Sequence, residues 1–430
     1  MKSNQKLTLC QGIGLLVSTL LGSSIFVVPA MAASMLGEQS IFAWIVIMFC
    51  VLPVAFCFSS LGTRYPNEGG TAFFIQQAFG ERLERFTSWL FLSALPMGPP
   101  IIIITGAAYL GSIWQLGTAG ILVIELVTLG LLFFSNRYGL QFMSRIQSLI
   151  TMVILAILTT LIGRAFWAAD LFQPLPLVLP FENISPLLSA MGLLFWCFVG
   201  IEAVAHLSES FKNVKRDFPL TIFSSIAIVG GICLLLGVIV LRYHAYGTPA
   251  LNANYMVYLF ARLFGGPGEI FVAVMAFFTC LASVNLYMVS FSKMLHAMSL
   301  TGDLPAGLQL TNRHNVPVRA MAVCYGVVAG TLLLCYAIAL PLEELILYAN
   351  TVFVAVYLLA SLAGVVLLRG FRLFTAIVST LFCGVIFFSL GNRCLYVALL
   401  FFCVNAVEYI LYRRQIVAGR REGLLEARLK

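Results

Sequence analysis

The sequence predicts an all-α protein threaded repeatedly through a membrane, on three observations. Of its 430 residues 61% are hydrophobic and 10% charged, and mean hydropathy is +1.01, which excludes an ordinary soluble globule. Apolar runs of about 20 residues, the length that spans a bilayer as a helix, recur twelve times: 10–34, 41–62, 84–110, 119–135, 145–165, 187–208, 220–241, 267–297, 319–339, 343–368, 373–390 and 394–412. Two of them, the first and the sixth, are interrupted near mid-depth.

The first run continues through Gly22 and Pro29 with no small-residue cleavage site, so it is expected to remain in the mature chain rather than act as a signal peptide. Its middle carries Gly22-Ser23-Ser24. Serines there either bond back to carbonyls one turn earlier, holding helices close, or mark a break whose unpaired N–H groups bind an anion.

Between the second and third runs lies Arg64-Tyr-Pro-Asn-Glu-Gly-Gly70, too polar to span. A turn at Gly69-Gly70 leads into a short amphipathic helix along the membrane or against the bundle. In the third run Pro96-Met-Gly-Pro-Pro100 forces a kink. Glu125 in the fourth is either a hydrogen-bonded structural carboxyl or a proton-handling group.

The sixth run, with Phe198-Val-Gly-Ile-Glu-Ala203 at its centre, holds Glu202 in hydrocarbon at roughly 2.5–3.5 kcal/mol. That cost must be offset, by a structural partner or by function. Gly200 favours unwinding over 198–202, where released backbone groups line a polar cavity. His206 reads as a packed residue. The first run starts on one side of the membrane and the sixth on the other. Breaks at corresponding places in halves of opposite topology point to an inverted-repeat transporter.

In the eighth run Ser283 is expected to cement helices and Asn285 to line a pathway. The later runs carry little chemistry beyond Tyr348-Ala-Asn350 and Glu408, which can snorkel to the interface. Trp44, Trp89, Trp114 and Trp167 lie near expected helix ends, as interfacial rings do. Of eleven cysteines nearly all fall inside apolar runs, without disulfide or metal spacing.

The net charge of +8 is distributed by topology. With the N-terminus inside, all of the 25 Lys and Arg except Arg164, Arg242, Arg262 and Arg393 fall on the cytoplasmic side, which puts both termini in the cytoplasm. The basic tail at 413–430 then meets lipid headgroups, and no nucleic-acid partner is expected.

Four stretches together resemble the amino acid–polyamine–organocation superfamily of transporters: Gly22-Ser-Ser-Ile-Phe26 with Pro29; Tyr65-Pro-Asn-Glu-Gly-Gly70 with Ala78-Phe-Gly80; the sixth-run motif followed by Lys212-Asn and Arg216-Asp-Phe-Pro219; and Gly302-Asp-Leu-Pro305. Within it the chain looks most like bacterial exporters of methionine and branched-chain amino acids. The resemblance implies one transporter domain of two inverted five-helix repeats, about 10–165 and 187–368, with two appended helices at 373–412. It implies an amino acid substrate whose carboxylate meets Ser23, Ser24 and Ile25 beside Gly22, and whose ammonium meets carbonyls near Leu20 and Val199 by Gly200. Trp196 would be the lid, and Glu202 a proton-linked gate.

The fifth run, 146–156, lacks the lysine with which some relatives replace sodium, so the coupling ion is protons or sodium. The substrate expected is neutral and apolar, since Glu202 is the one ionisable side chain expected at the site, with Phe195, Trp196, Phe198 and Met97 as its apolar surface. The location implied is a bacterial inner membrane, with no metal or cofactor. An enzyme reading has only the Glu202 and His206 pair in its favour and no His-Glu-x-x-His motif; a channel reading leaves the matched breaks unexplained.

Overall fold

The computed structural model describes residues 6–67, 70–138, 141–168, 184–205 and 208–406. Glu68, Gly69, His206, Glu408 and the basic tail lie outside the described residues. The described chain is helical, with no strand and one isolated bridge, Leu7 to Phe211. In hydrocarbon a helix is the only open-ended way to pair every backbone group. Among the described residues seven helical stretches are long and apolar enough to cross a membrane, and five shorter apolar helices accompany them.

The first expected span is α1 (Leu9–Leu21) and α2 (Val28–Leu36), separated by a tight turn over Ser24–Phe26. It is followed by α3 (Ser40–Arg64) and the linker helix α4 (Gly70–Phe79), which lies against the bundle with Gly70, Thr71, Phe74 and Ile75 buried. The kinked third span is α5 (Glu81–Leu92) and α6 (Gly98–Ser112). Its released carbonyls find donors in Ser93 Oγ to Leu90 O at 2.6 Å and Gly98 N to Ala94 O at 2.8 Å. Then come α7 (Thr118–Asn136) and α8 (Gln141–Ala168).

The sixth span is α9 (Ser185–Leu194), a tight turn over Phe195–Phe198 and a short α10 (Ile201–Ala205). The rest are α11 (Val214–Arg242), α12 (Pro249–Phe264), α13 (Gly266–Leu300), α14 (Val318–Ile338), α15 (Leu342–Leu367), α16 (Phe371–Ser389) and α17 (Gly391–Ala406).

Helix α12 had no counterpart in the sequence reading. With 16 residues that include Asn252, Asn254 and Arg262 it is too short and polar for a span, yet its ends are marked: Thr248 Oγ1 accepts the Leu251 N–H at 3.3 Å and Gly265 ends it at φ +78°.

Lipid tails are as apolar as leucine, so contact between helices rests on close packing and buried hydrogen bonds. At Gly106 a Cβ would sit 2.8 Å from Cys280 Cβ, which lets α6 and α13 touch. Asn136 Nδ2 donates to Asn285 Oδ1 and to Tyr325 Oη, both at 2.8 Å, joining α7, α13 and α14. Asn350 Nδ2 donates to the Gly192 carbonyl at 2.7 Å, joining α15 to α9. Asn285 therefore ties helices together rather than lining a pathway. Trp44 is fully buried against Gly237 of α11, a correction to its interfacial assignment: a ring near a helix end goes inward where a glycine opposite leaves room. Trp114 and Trp167 are exposed.

Candidate functional site

The first break has three parts. Gly22 ends α1 at φ 16°, ψ −119°, its N–H still reaching Ser18 O at 3.1 Å. The turn that follows is closed by Phe26 N to Ser23 O at 3.1 Å and Val27 N to Ser24 O at 3.3 Å. Between them the N–H groups of Ser23, Ser24 and Ile25 make no backbone hydrogen bond among the described residues. These are the orphan donors that a helix restart leaves behind. α2 itself begins at Val28. Ser24 Oγ donates back to Leu20 O at 2.7 Å and Leu21 O at 3.2 Å, so the hydroxyl returns to the preceding turn while the amide has no backbone partner among the described residues.

The second break is narrower than the 198–202 expected. The tight turn carries the chain to Phe198, Val199 is extended (φ −71°, ψ 125°) and Gly200 stands at φ +134°. An L side chain is strained at that φ, and a Cβ on Gly200 would lie 3.0 Å from Thr19 Cγ2. Glu202 is thus in the first turn of α10 rather than in the unwound segment.

The two breaks meet. Trp196 Nε1 donates to Ser23 Oγ at 3.3 Å, and a partly enclosed cavity of about 260 Å³, its open mouth included, lies where they cross. Leu20, Gly22, Ser23 and Ser24 form one wall and Trp196 and Val199 another. Thr19, Ile102 of α6, and Ser283 and Tyr287 of α13 complete it. Of the residues picked from sequence, Ile25 and Gly200 do not face the cavity, nor do Phe195, Phe198 or Met97. Ser283 does, reversing its expected role as helix cement.

Four tyrosines went unnoticed in the sequence. Tyr255 of α12 donates to the Ile25 carbonyl, Tyr109 of α6 donates to the Phe26 carbonyl at 2.8 Å, and Met256 N–H donates to Tyr109 Oη at 3.4 Å. At the second break Tyr357 of α15 donates to Glu202 Oε2 and accepts the Gly200 N–H at 3.3 Å; Phe198 O is a second acceptor at 3.2 Å. The fourth, Tyr287, lines the cavity. The available signal was a phenol inside an apolar run, whose hydroxyl needs a polar partner; an opened helix exposes the carbonyls and amides that supply it.

Glu202 is fully buried and does not line the cavity, which corrects its placement at the site. It sits behind the second break. Its Oε2 also accepts the Gly200 N–H at 2.8 Å, while Oε1 has no partner. Glu125 is buried on α7, away from the cavity, without hydrogen bond or ion pair among the described residues.

The family model described as amino acid permease matches residues 7–415. The chain is 35% identical over 398 residues to the L-methionine/branched-chain amino acid exporter YjeH of Escherichia coli K12, covering 91% of this chain and 93% of the relative. It is 27% identical over 402 residues to the amino acid permease YecA of Bacillus subtilis, covering 92% and 93%. It is 24% identical over 329 residues to the cadaverine/lysine antiporter of E. coli K12, covering 74% and 69%. A cavity walled by two broken helices in a many-helix apolar bundle thus accompanies a family match that runs almost end to end: this chain belongs to the amino acid permease family of the amino acid–polyamine–organocation superfamily.

Proposed function

We propose that the protein is a secondary active exporter of neutral apolar L-amino acids, methionine and the branched aliphatic ones, working by alternating access in antiport with protons. The observation that carries this reading is the row of unpaired N–H groups at Ser23, Ser24 and Ile25, with Ser23 and Ser24 on the wall of a cavity shared by both breaks. Unpaired amides at a helix restart attract a carboxylate. The Val199 carbonyl, released by its extended conformation, and the second lone pair of the Leu20 carbonyl are the acceptors available to an ammonium. Around them Leu20, Ile102, Val199 and the Trp196 ring offer an apolar lining. No acidic or basic side chain is among the lining residues, so a charged substrate side chain would lose its hydration without a partner.

In this reading the chain has twelve spans in two inverted five-helix repeats, 10–165 and 187–368, with both termini in the cytoplasm of a bacterial inner membrane. Gly22, Ser23 and Ser24 form the carboxylate end, with the Ile25 N–H next to them, and Leu20 and Val199 the ammonium end, with Gly200 behind the wall. Trp196 covers the substrate, and Glu202 exchanges the coupled proton from behind the second break. Export follows the likeness to the exporter YjeH, since alternating access is itself reversible.

The test is the internal pool of methionine, leucine, valine, arginine and glutamate in cells that lack or overproduce the protein. Overproduction is expected to lower methionine and leucine and leave arginine and glutamate unchanged. Selective movement of arginine or glutamate would overturn the substrate class, and raised internal methionine would overturn the direction.

A further inference from the structure

Glu202 and the cavity are separated, yet a coupled proton must pass between them. Glu202 Oε1 is buried with no partner. On the cavity side stands Tyr287, one helical turn beyond Ser283 on α13, with its hydroxyl outside any hydrogen bond among the described residues. Its ring is held by Phe291, centroids 6.4 Å apart and planes 27° apart, so the phenol has a fixed station. Val199 and Tyr287 line the same cavity, and Glu202 stands directly behind that wall, its Oε2 accepting the N–H of Gly200, the residue after Val199. Glu202 Oε1 is costly to keep buried and unpaired, and Tyr287, half-buried, brings a hydroxyl to the cavity side of the gap.

The other groups around Glu202 are accounted for. Tyr357 faces it from α15 and is already committed to Oε2. α4, packed against α10, has no ionisable side chain, and the one on α1, Cys10, is exposed at its far end. On α3, Cys57 is turned to Ser361 and Cys383, and Arg64 donates to Leu367 O at 2.9 Å.

We propose that Tyr287 is the positioning residue that connects the substrate cavity to Glu202, passing the coupled proton between cavity water and the carboxyl. The step balances: the phenol gives its proton to ionised Glu202 as it takes one from the hydrated proton in the cavity, so Tyr287 begins and ends neutral and one proton has moved. The reverse order returns it. Trp196 and Ser23 hold the substrate side of the same cavity, so substrate occupancy and the proton route share one space.

This rests on the proton-antiport reading, and the experiment separates the two. Full-length protein in proteoliposomes is assayed for steady-state methionine accumulation with and without a one-unit pH gradient, and the readout is the ratio of gradient-driven to gradient-free accumulation, which a loss of affinity alone leaves unmoved. One proton per substrate lets one pH unit sustain about a tenfold ratio. The parent is expected to approach it, and Tyr287→Phe to fall to about one, as Glu202→Gln does. Tyr287→His, which can give and take a proton, is expected to recover at least half of the parental ratio, whereas Tyr287→Gln is not. A parental ratio in Tyr287→Phe, or equal ratios for the His and Gln variants, would overturn the role of Tyr287. A parent indifferent to the gradient would instead overturn the proton reading itself.

Discussion

Replacing Gly200 with alanine tests whether the second break is built as described. The residue stands at φ +134°, where a non-glycine residue costs on the order of 1–3 kcal/mol. Its new Cβ would meet Thr19 Cγ2 at 3.0 Å, Leu20 Cδ2 at 3.2 Å and Thr19 Cβ at 3.6 Å. Thr19 is buried and its hydroxyl is tied to Leu15 O at 2.8 Å, so it cannot turn aside without breaking that bond; such overpacking adds about 1–3 kcal/mol.

The sum, about 2–6 kcal/mol, falls on the contact between α1 and the second break, where the Gly200 N–H also supports Glu202. Gly231→Ala on α11, with nothing within 4 Å of the added atom, is the control and is expected to be neutral or slightly stabilising. The assay is the melting temperature of detergent-solubilised protein beside methionine counterflow. Gly200→Ala should melt on the order of 5 °C lower and lose at least about tenfold in counterflow, the equivalent of roughly 1.4 kcal/mol. If it melts and transports as the control does, the left-handed station and the close approach to Thr19 are refuted together.

Two further outcomes follow from the same geometry. Glu202→Gln keeps an acceptor for Tyr357 and Gly200, so it should retain methionine binding while an imposed pH gradient no longer drives flux; a parental response to the gradient would remove Glu202 from the proton path. Ser24→Leu puts a branched chain where Ser24 is 2% exposed on the cavity wall. It should abolish binding in a protein that still inserts and purifies, and unchanged methionine affinity would move the carboxylate end elsewhere.

The breaks were legible because they contradict their surroundings: Gly22-Ser23-Ser24 and Gly200 with Glu202 are small or charged residues inside runs that otherwise ask for leucine. Helix α12 was not, because it falls below the length of a span and its caps compete with ordinary loop signals. The facing of side chains was not legible either. Ser283 and Asn285 are two residues apart on α13, so about 200° separates them around the helix axis. Which one meets the cavity depends on how α13 is rotated against α6 and α7, and a helix apolar on all sides records no such preference. The same blindness hid Tyr109, Tyr255 and Tyr357, whose partners are backbone groups released elsewhere in the chain.

The isolated bridge between Leu7 and Phe211 has a mechanical consequence. Leu7 N–H donates to Ser210 O at 2.8 Å and Lys212 N–H donates to Leu7 O at 3.0 Å, so the chain entering α1 is stitched to the chain leaving the second broken span. Phe211 is buried, its ring lying where a Gly12 side chain would be, 2.5 Å from the position of the missing Cβ. The two interrupted spans are therefore yoked at this end as well as at the cavity, like a pair of oars lashed at the handle. A swing of one is then expected to carry the other, and removal of the first seven residues to cut the lashing while leaving every cavity-lining residue in the chain.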